Sequence, residues 1–269
     1  MATNDAATQE VGSGDTRVKP IKLGGALVTI VEPHQGHQVE YNRWYERDHF
    51  YAGCMIGAWT ISGTRYVATR AHKDARFPAD SPVASPVDTG SYVAIYWVLA
   101  GKFGEWIRWG TDQVNWLHEN ERMFPHRDHV HTAMYKLRGE THAEADGVPV
   151  ELALDRGYPG LVVMMAEPPD GSDAAWLVDW VTARPTGPAD QVTAFTSVPL
   201  LADAPPDVPL TPETERITLL WWSERDPLED WGAYESFASD LAEAGGRVVF
   251  AAPFIKTIPG TDTYTDQLW

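Results

Sequence analysis

The chain has 269 residues and one cysteine, Cys54. An internal disulfide and a thiolate metal cluster are thereby excluded, and a reducing cytoplasm is the expected setting. Cys54 follows an aromatic segment and is expected to be a buried, inert thiol. Positive charge is also scarce: 21 Lys and Arg face 38 Asp and Glu, a formal net charge of −17. Such a chain repels nucleic acid and anionic membranes, so neither is an expected partner. No run approaches 18 apolar residues, so no membrane span is expected. Residues 1–18 are expected to form a flexible tail, because the first sixteen lack the basic and apolar regions of a signal peptide. No Gly-x-Gly-x-x-Gly, P-loop, Gly-x-Ser-x-Gly or His-Glu-x-x-His occurs, so nucleotide binding, a serine-hydrolase elbow and that zinc signature are not indicated.

Aromatic residues, by contrast, are abundant, with 12 Trp and 10 Tyr. They suit a pocket for a flat apolar ligand as well as a core. The chain also resembles itself. Residues 25–33 (Gly-Ala-Leu-Val-Thr-Ile-Val-Glu-Pro) and 160–168 (Gly-Leu-Val-Val-Met-Met-Ala-Glu-Pro) are apolar strands closed by Glu-Pro. Ile95-Tyr96-Trp97 is echoed by Leu220-Trp221-Trp222, and Trp106 by Trp231. The common order indicates a duplication.

Each half reads strand, helix, strand, strand, helix, strand. Strands are expected near 23–32, 57–70, 91–100 and 129–138, then near 160–167, 191–201, 215–224 and 247–257. Helices are expected near 37–54, 102–123, 172–184 and 229–245. Pro-rich stretches at 77–88 and 202–212 read as exposed loops or lids. The organisation expected is a first unit at 19–140, a polar linker at 141–158 and a second unit at 159–269. A βαββαβ order is the ferredoxin-like unit. Its bare sheet face must be covered, and two such units satisfy each other sheet to sheet. The fold class is therefore α+β: two tandem units forming a pseudo-dimeric α/β barrel.

The first helix holds the most suggestive chemistry. At spacing four, Tyr41, Tyr45 and His49 form one row, with Trp44 and Asp48 in the next. An imidazole set among aromatic rings is a candidate acid/base, since it titrates near neutrality. In the strand register of the repeat, Arg184 stands opposite His49 and Ala183 opposite Asp48, so one working site is expected, in the first half.

With Glu40, Asn42, Trp44, Tyr45 and His49, this segment resembles the dimeric α/β-barrel superfamily, and within it the EthD-like members. The resemblance implies a pocket between helices and sheet, with His49 carried over as a functional residue. It also implies a choice among cofactor-free monooxygenases, cyclases, isomerases, lyases and haem enzymes, because the fold alone does not fix the reaction.

Further candidates come from the residues themselves. By the period of two, His129, His131 and Tyr135 share one strand face and could line the pocket or hold a metal. Tyr66 and Arg70, read on the second strand, could donate to an oxyanion or hold a carboxylate. Trp109 and Trp116 flank the second helix as pocket walls or an interface. The leading expectation is a cofactor-independent lyase, isomerase or cyclase acting on a small apolar carbonyl or phenol metabolite. His49, His129, His131, Tyr135 and Arg70 would be catalytic, and Tyr41, Trp44, Tyr45, Tyr66, Trp109 and Trp116 would bind substrate. The alternatives are cofactor-free oxygenation in the same pocket, haem held by His126, His129 or His131, and a non-catalytic carrier. The chain could act as a monomer or as a homodimer.

Overall fold

A computed structural model describes residues 20–205, 208 and 215–269. The tail expected at 1–18, and part of the 202–212 loop, lie outside the described residues. The first half contributes β1 (Leu23–Pro33), β2 (Thr60–Val67), β3 (Tyr92–Leu99) and β4 (Arg127–His142). The second half contributes β5 (Gly160–Glu167), β6 (Gln191–Val198), β7 (Ile217–Ser223) and β8 (Arg247–Lys256). They close into one antiparallel barrel in the order β1-β3-β2-β8-β5-β7-β6-β4. Each half has the ferredoxin-like strand order, and the halves meet at two seams, β2–β8 and β4–β6. Closure removes the free edges that an open sheet would have to protect.

The strands are apolar on both faces because both faces are buried. In β3, Val93, Ile95 and Trp97 point into the barrel, while Tyr92, Ala94, Tyr96 and Val98 face the helices. Trp97 and Trp222 meet edge to face inside, with ring centroids 6.0 Å apart. Large rings therefore fill the barrel. The connection from β2 to β3, which carries the short helix α2 (Arg70–Asp74), seals one mouth: Ala84 is buried, with Val83 and Val87 packed against the interior. Of the two readings of 77–88, exposed loop or lid, the fold agrees with the lid. The connection from β4 to β5 seals the other mouth with Val150, Ala153, Leu154 and Tyr158, partly on α4 (Ala153–Arg156). The stretch expected as a polar linker is thus a plug.

The seams are unequal. Met134 to His142 of β4 pair with Gln191 to Val198 of β6. Pairing of β2 with β8 is limited to Tyr66 and Val67 against Lys256 and Ile255. Elsewhere β8 bonds the β2–β3 connection, as Phe77 bridges Ala251 and Ser81 Oγ donates to the Val249 carbonyl at 2.7 Å.

The helices lie outside the barrel. The second half carries α5 (Ala174–Thr182) and α6 (Trp231–Glu243), packed through Leu177, Val178, Tyr234 and Leu241. The first half carries α3 (Phe103–Glu119) and α1 (Gln38–Trp44), which continues as a π-helix over Tyr45–Met55. No described helix is long and apolar enough to cross a membrane.

Candidate functional site

The π-helical stretch determines where His49 goes. Widening from i→i+4 to i→i+5 bonding shifts side-chain neighbours by one residue, and such stretches recur at functional sites. His49 therefore stacks on Trp44, five residues earlier, with centroids 4.5 Å apart at 19°. Its contact with Tyr45 is edge-on at 5.2 Å. The straight row expected from spacing four is corrected accordingly. Side chains hold the widened turns: Gln113 Nε2 donates to the Ala52 carbonyl at 2.7 Å, and Thr60 Oγ1 donates to the Cys54 carbonyl at 2.9 Å.

Gly53 lies under the His49 ring. A Cβ there would stand 3.0 to 3.3 Å from the ring atoms, so the glycine gives the imidazole its space. His49 Nδ1 is buried and has no hydrogen-bond partner among the described residues. Its pKa is pushed down to about 3, first by burial, then by Arg127 and by the neighbouring His129, His118 and Arg65. The ring is neutral at physiological pH. Asp48, which precedes His49 in the chain, is engaged by Arg122.

Gly53 and Cys54 open onto an apolar cavity of about 90 Å³, floored by Leu27, Thr132 and Met134 of the outer sheet face. Ile107, Thr111 and Val114 of α3 form one wall, and Leu200, Ala204, Pro205 and Val208 of the second half form another. An apolar cavity of about 150 Å³ holds benzene, so this one is too small for a ring as it stands. A metabolite with a ring requires the wall at Leu200, Ala204, Pro205 and Val208 to move. Cys54 is buried, and burial pushes its thiol up to about 12.

A bulge splits the histidine strand. The β1–β4 register slips between Ile30 and Val31, so Ile30 faces His131 whereas Val31 faces His129. The extra residue interrupts the alternation, so side chains two apart fall on opposite faces. His129 joins the helix side, with Nδ1 2.9 Å from Thr132 Oγ1, which in turn lies 2.7 Å from Thr29 Oγ1. Its Nε2 lies 3.4 Å from Arg127 Nη2. His131 points into the barrel, where Nε2 meets Tyr135 Oη at 2.6 Å. Burial lowers His131 to about 4 and raises Tyr135 to about 12. The single face expected for His129, His131 and Tyr135 is thus corrected: only His129 is on the side of His49.

The other candidates separate as well. Tyr66 is interior and donates to the Tyr158 carbonyl at 2.8 Å. Arg70 begins α2, not a strand position, and pairs with Asp74 and Asp88. Tyr41 and Tyr45 are buried beneath α1, with the Arg65 guanidinium 4.3 Å from the Tyr45 centroid. Trp109 packs on Gly57, and Trp116 is 45% exposed on the outer side of α3. Thr132, Leu200, Ala204, Pro205 and Val208 were not legible as site residues. Only the bulge and a contact across the halves bring them there.

Haem was tested against its expected ligands. Both His129 nitrogens and His131 Nε2 are in polar contacts, and His126 is exposed, with its ring stacked on His37 at 3.8 Å. Among the described residues, no histidine lines the cavity at Gly53 and Cys54. These residues do not fit a porphyrin. No group of three or more His, Cys, Asp or Glu among the described residues could hold a metal ion.

No protein-family model matches the chain. No curated protein matches it either. Among solved structures it is similar to a protein assigned as a chlorite dismutase, at 11% identity and TM-score 0.52, covering 92% of this chain and 100% of that one. A heme complex of a DypB variant from Rhodococcus jostii RHA1 gives 10% identity and TM-score 0.49, covering 91% and 96%. An anthrone oxidase-like protein gives 10% and 0.43, covering 90% and 98%. The architecture is that of the ferredoxin-like dimeric α/β barrel.

Proposed function

We propose that the protein is a cofactor-independent enzyme that removes a proton from a small, largely apolar carbonyl or phenol compound, with His49 as the base. The observation carrying this reading is the buried, unpartnered Nδ1 of His49, whose ring lies against Gly53, a residue that lines the apolar cavity. Thr132, backed by His129 and Arg127, is the hydroxyl placed to donate to the developing oxyanion.

A base depressed to about 3 is a poor acceptor for a proton taken from water. Within the cavity the comparison differs. The nearby positive charges lower the pKa of a bound carbon or phenol acid as well as that of the imidazole, whereas burial, the larger cause, raises the pKa of the acid. The driving force lost to burial has to be restored by the attraction between the resulting enolate and imidazolium, which is strong at close range in a site away from water. Elimination, isomerisation or ring closure of the enolate would complete a lyase, isomerase or cyclase reaction. Direct reaction of the carbanion with O₂ would give the oxygenase alternative, which consumes oxygen during turnover.

The test is deuterium exchange at the α-carbon of a panel of small aryl ketones in D₂O. The wild type should accelerate exchange, and His49→Ala should lose on the order of 10²-fold or more of that acceleration. Equal acceleration by both proteins would sink the assignment.

The small apolar cavity also favours a second reading, a carrier in which His49 anchors an apolar ligand by hydrogen bonding. Binding of the panel without exchange would support it. The proposal further takes residues 19–140 and 159–269 as duplicated units, with an EthD-like site kept only in the first. All nine histidines lie between His34 and His142, in keeping with a one-sided site. The protein would work in the cytoplasm as a monomer or homodimer.

A further inference from the structure

The short β2–β8 seam leaves a second cleft, of about 210 Å³, on the other side of the π-helix. Its charged lining is Arg65, Lys256 and Glu46. Arg65 is only 5% exposed. Its Nη1 donates to Asn42 Oδ1 at 3.1 Å and to Glu46 Oε1 at 3.4 Å, but Nε and Nη2 have no acceptor among the described residues. Buried cationic donors without acceptors are costly, and in native proteins they commonly mark the place of a water or an ion. Glu46 is already committed, because its Oε2 accepts from the Gly260 amide at 2.9 Å.

Lys256 is half-buried at the same seam and makes no hydrogen bond or ion pair among the described residues; burial lowers its pKa, against the opposing effect of Asp155. Asp155 is itself held by Ser62 Oγ at 2.6 Å. The buried Lys73 shows the contrast, since it is bound by Ser91 Oγ at 3.1 Å and Glu32 at 3.4 Å. The Lys256 ammonium lies over Gly157, whose φ of +69° itself calls for glycine. In a chain of net charge −17, this cleft brings two cations and one carboxylate to a partly desolvated place. Phe50, Leu154 and Pro259 supply an apolar wall.

We propose that this cleft binds a small organic carboxylate, its anionic end beside Lys256 Nζ and the Arg65 guanidinium and its apolar body against Phe50, Leu154 and Pro259. The site is separate from the His49 cavity and does not depend on the activity assigned there. Its volume suits a one-ring acid. Charge-assisted bonds to the ammonium supply orientation, and the cations supply the preference for an anion over its neutral analogue.

Benzoate is the probe and benzamide the uncharged control, titrated calorimetrically into the full-length protein at low salt. Saturable benzoate binding is expected, weakened about tenfold or more by Lys256→Met and at least tenfold tighter than benzamide binding. Binding should stay within about threefold of wild type in His49→Ala. Circular dichroism and urea unfolding check that both variants are folded. As a second readout, the ¹⁵Nζ resonance of Lys256 should shift on saturation while that of Lys102 does not. The proposal is overturned by absent saturable binding up to millimolar benzoate, by equal binding of benzamide, or by affinity unchanged in a folded Lys256→Met. Affinity lost in His49→Ala but kept in Lys256→Met would also overturn it, since the ligand would then occupy the other cavity.

Discussion

Acidifying the protein from pH 7 to pH 4.5 separates two buried imidazoles from the rest of the molecule. His49 and His131 have folded pKa values pushed down to about 3 and about 4, in both cases chiefly by burial. In an unfolded chain each returns to about 6.5. Between those limits the unfolded state binds more protons, so stability rises with pH and is lost as pH falls from about 6.5 towards the folded values. At pH 4.5 the distance from the unfolded value is about 2 pH units, and 1.36 kcal/mol per unit gives roughly 2.5 kcal/mol for each ring. Both residues keep a little surface, so about 5 kcal/mol for the pair is an upper figure. It is still a large share of the 5–15 kcal/mol typical of a folded protein. Carboxylates titrate in the same window, so the assay is a difference of differences. Urea unfolding is measured at pH 7 and pH 4.5 for the wild type, His49→Phe, His131→Phe and the double variant. Each single variant should reduce the acid-induced loss by roughly 2 kcal/mol, and the double variant by the sum, since the two rings face opposite sides of the sheet. Comparison within each variant cancels the effect of substitution at neutral pH. If both variants kept the wild-type loss, the rings would be protonated in the folded state and the burial argument would be wrong.

Other expectations follow from single contacts. Gly53→Ala places a methyl against the His49 ring and should cost about 1–3 kcal/mol by overpacking, read by urea unfolding, with α-proton exchange falling at the same time. Trp222→Ala opens the barrel interior and should cost about 3–5 kcal/mol in the same measurement. Asp48→Ala removes a partly exposed ion pair with Arg122 and should cost under about 1 kcal/mol while leaving α-proton exchange intact. Leu268 is fully buried against the first half, so Leu268→Ala should cost about 2–5 kcal/mol and speed amide exchange within 38–55.

The barrel was legible because its signals are local and repeated. Strand runs such as Tyr92–Leu99 and Gly160–Glu167 are apolar on both faces, and the Glu-Pro closures mark equivalent strand ends. Helix and strand identities follow from that pattern, and strand order follows from the ferredoxin-like unit. The site was less legible, for three physical reasons. A π-helix changes the period on which a helical wheel depends, so Trp44 rather than Tyr45 carries the stacked imidazole. One inserted residue in β4 separates His129 from His131, although alternation places them together. Leu200, Ala204, Pro205 and Val208 reach the cavity from the other half, and no local pattern encodes a contact between Leu200 and the neighbourhood of Gly53. Arg70 failed for a related reason: Thr69 ends the extended run, and the chain turns into α2 before the arginine can face the barrel.

The account rests on an uncharged His49 ring whose nitrogen is reserved for a guest. Its most direct measurement is the ¹³Cε1 titration of that ring by NMR, assigned with His49→Gln, in the free protein and with a phenol bound. The account predicts no protonation of the free protein above about pH 4 and a perturbed resonance once phenol occupies the cavity. An ordinary titration near pH 6.5 that ignores the phenol would contradict it.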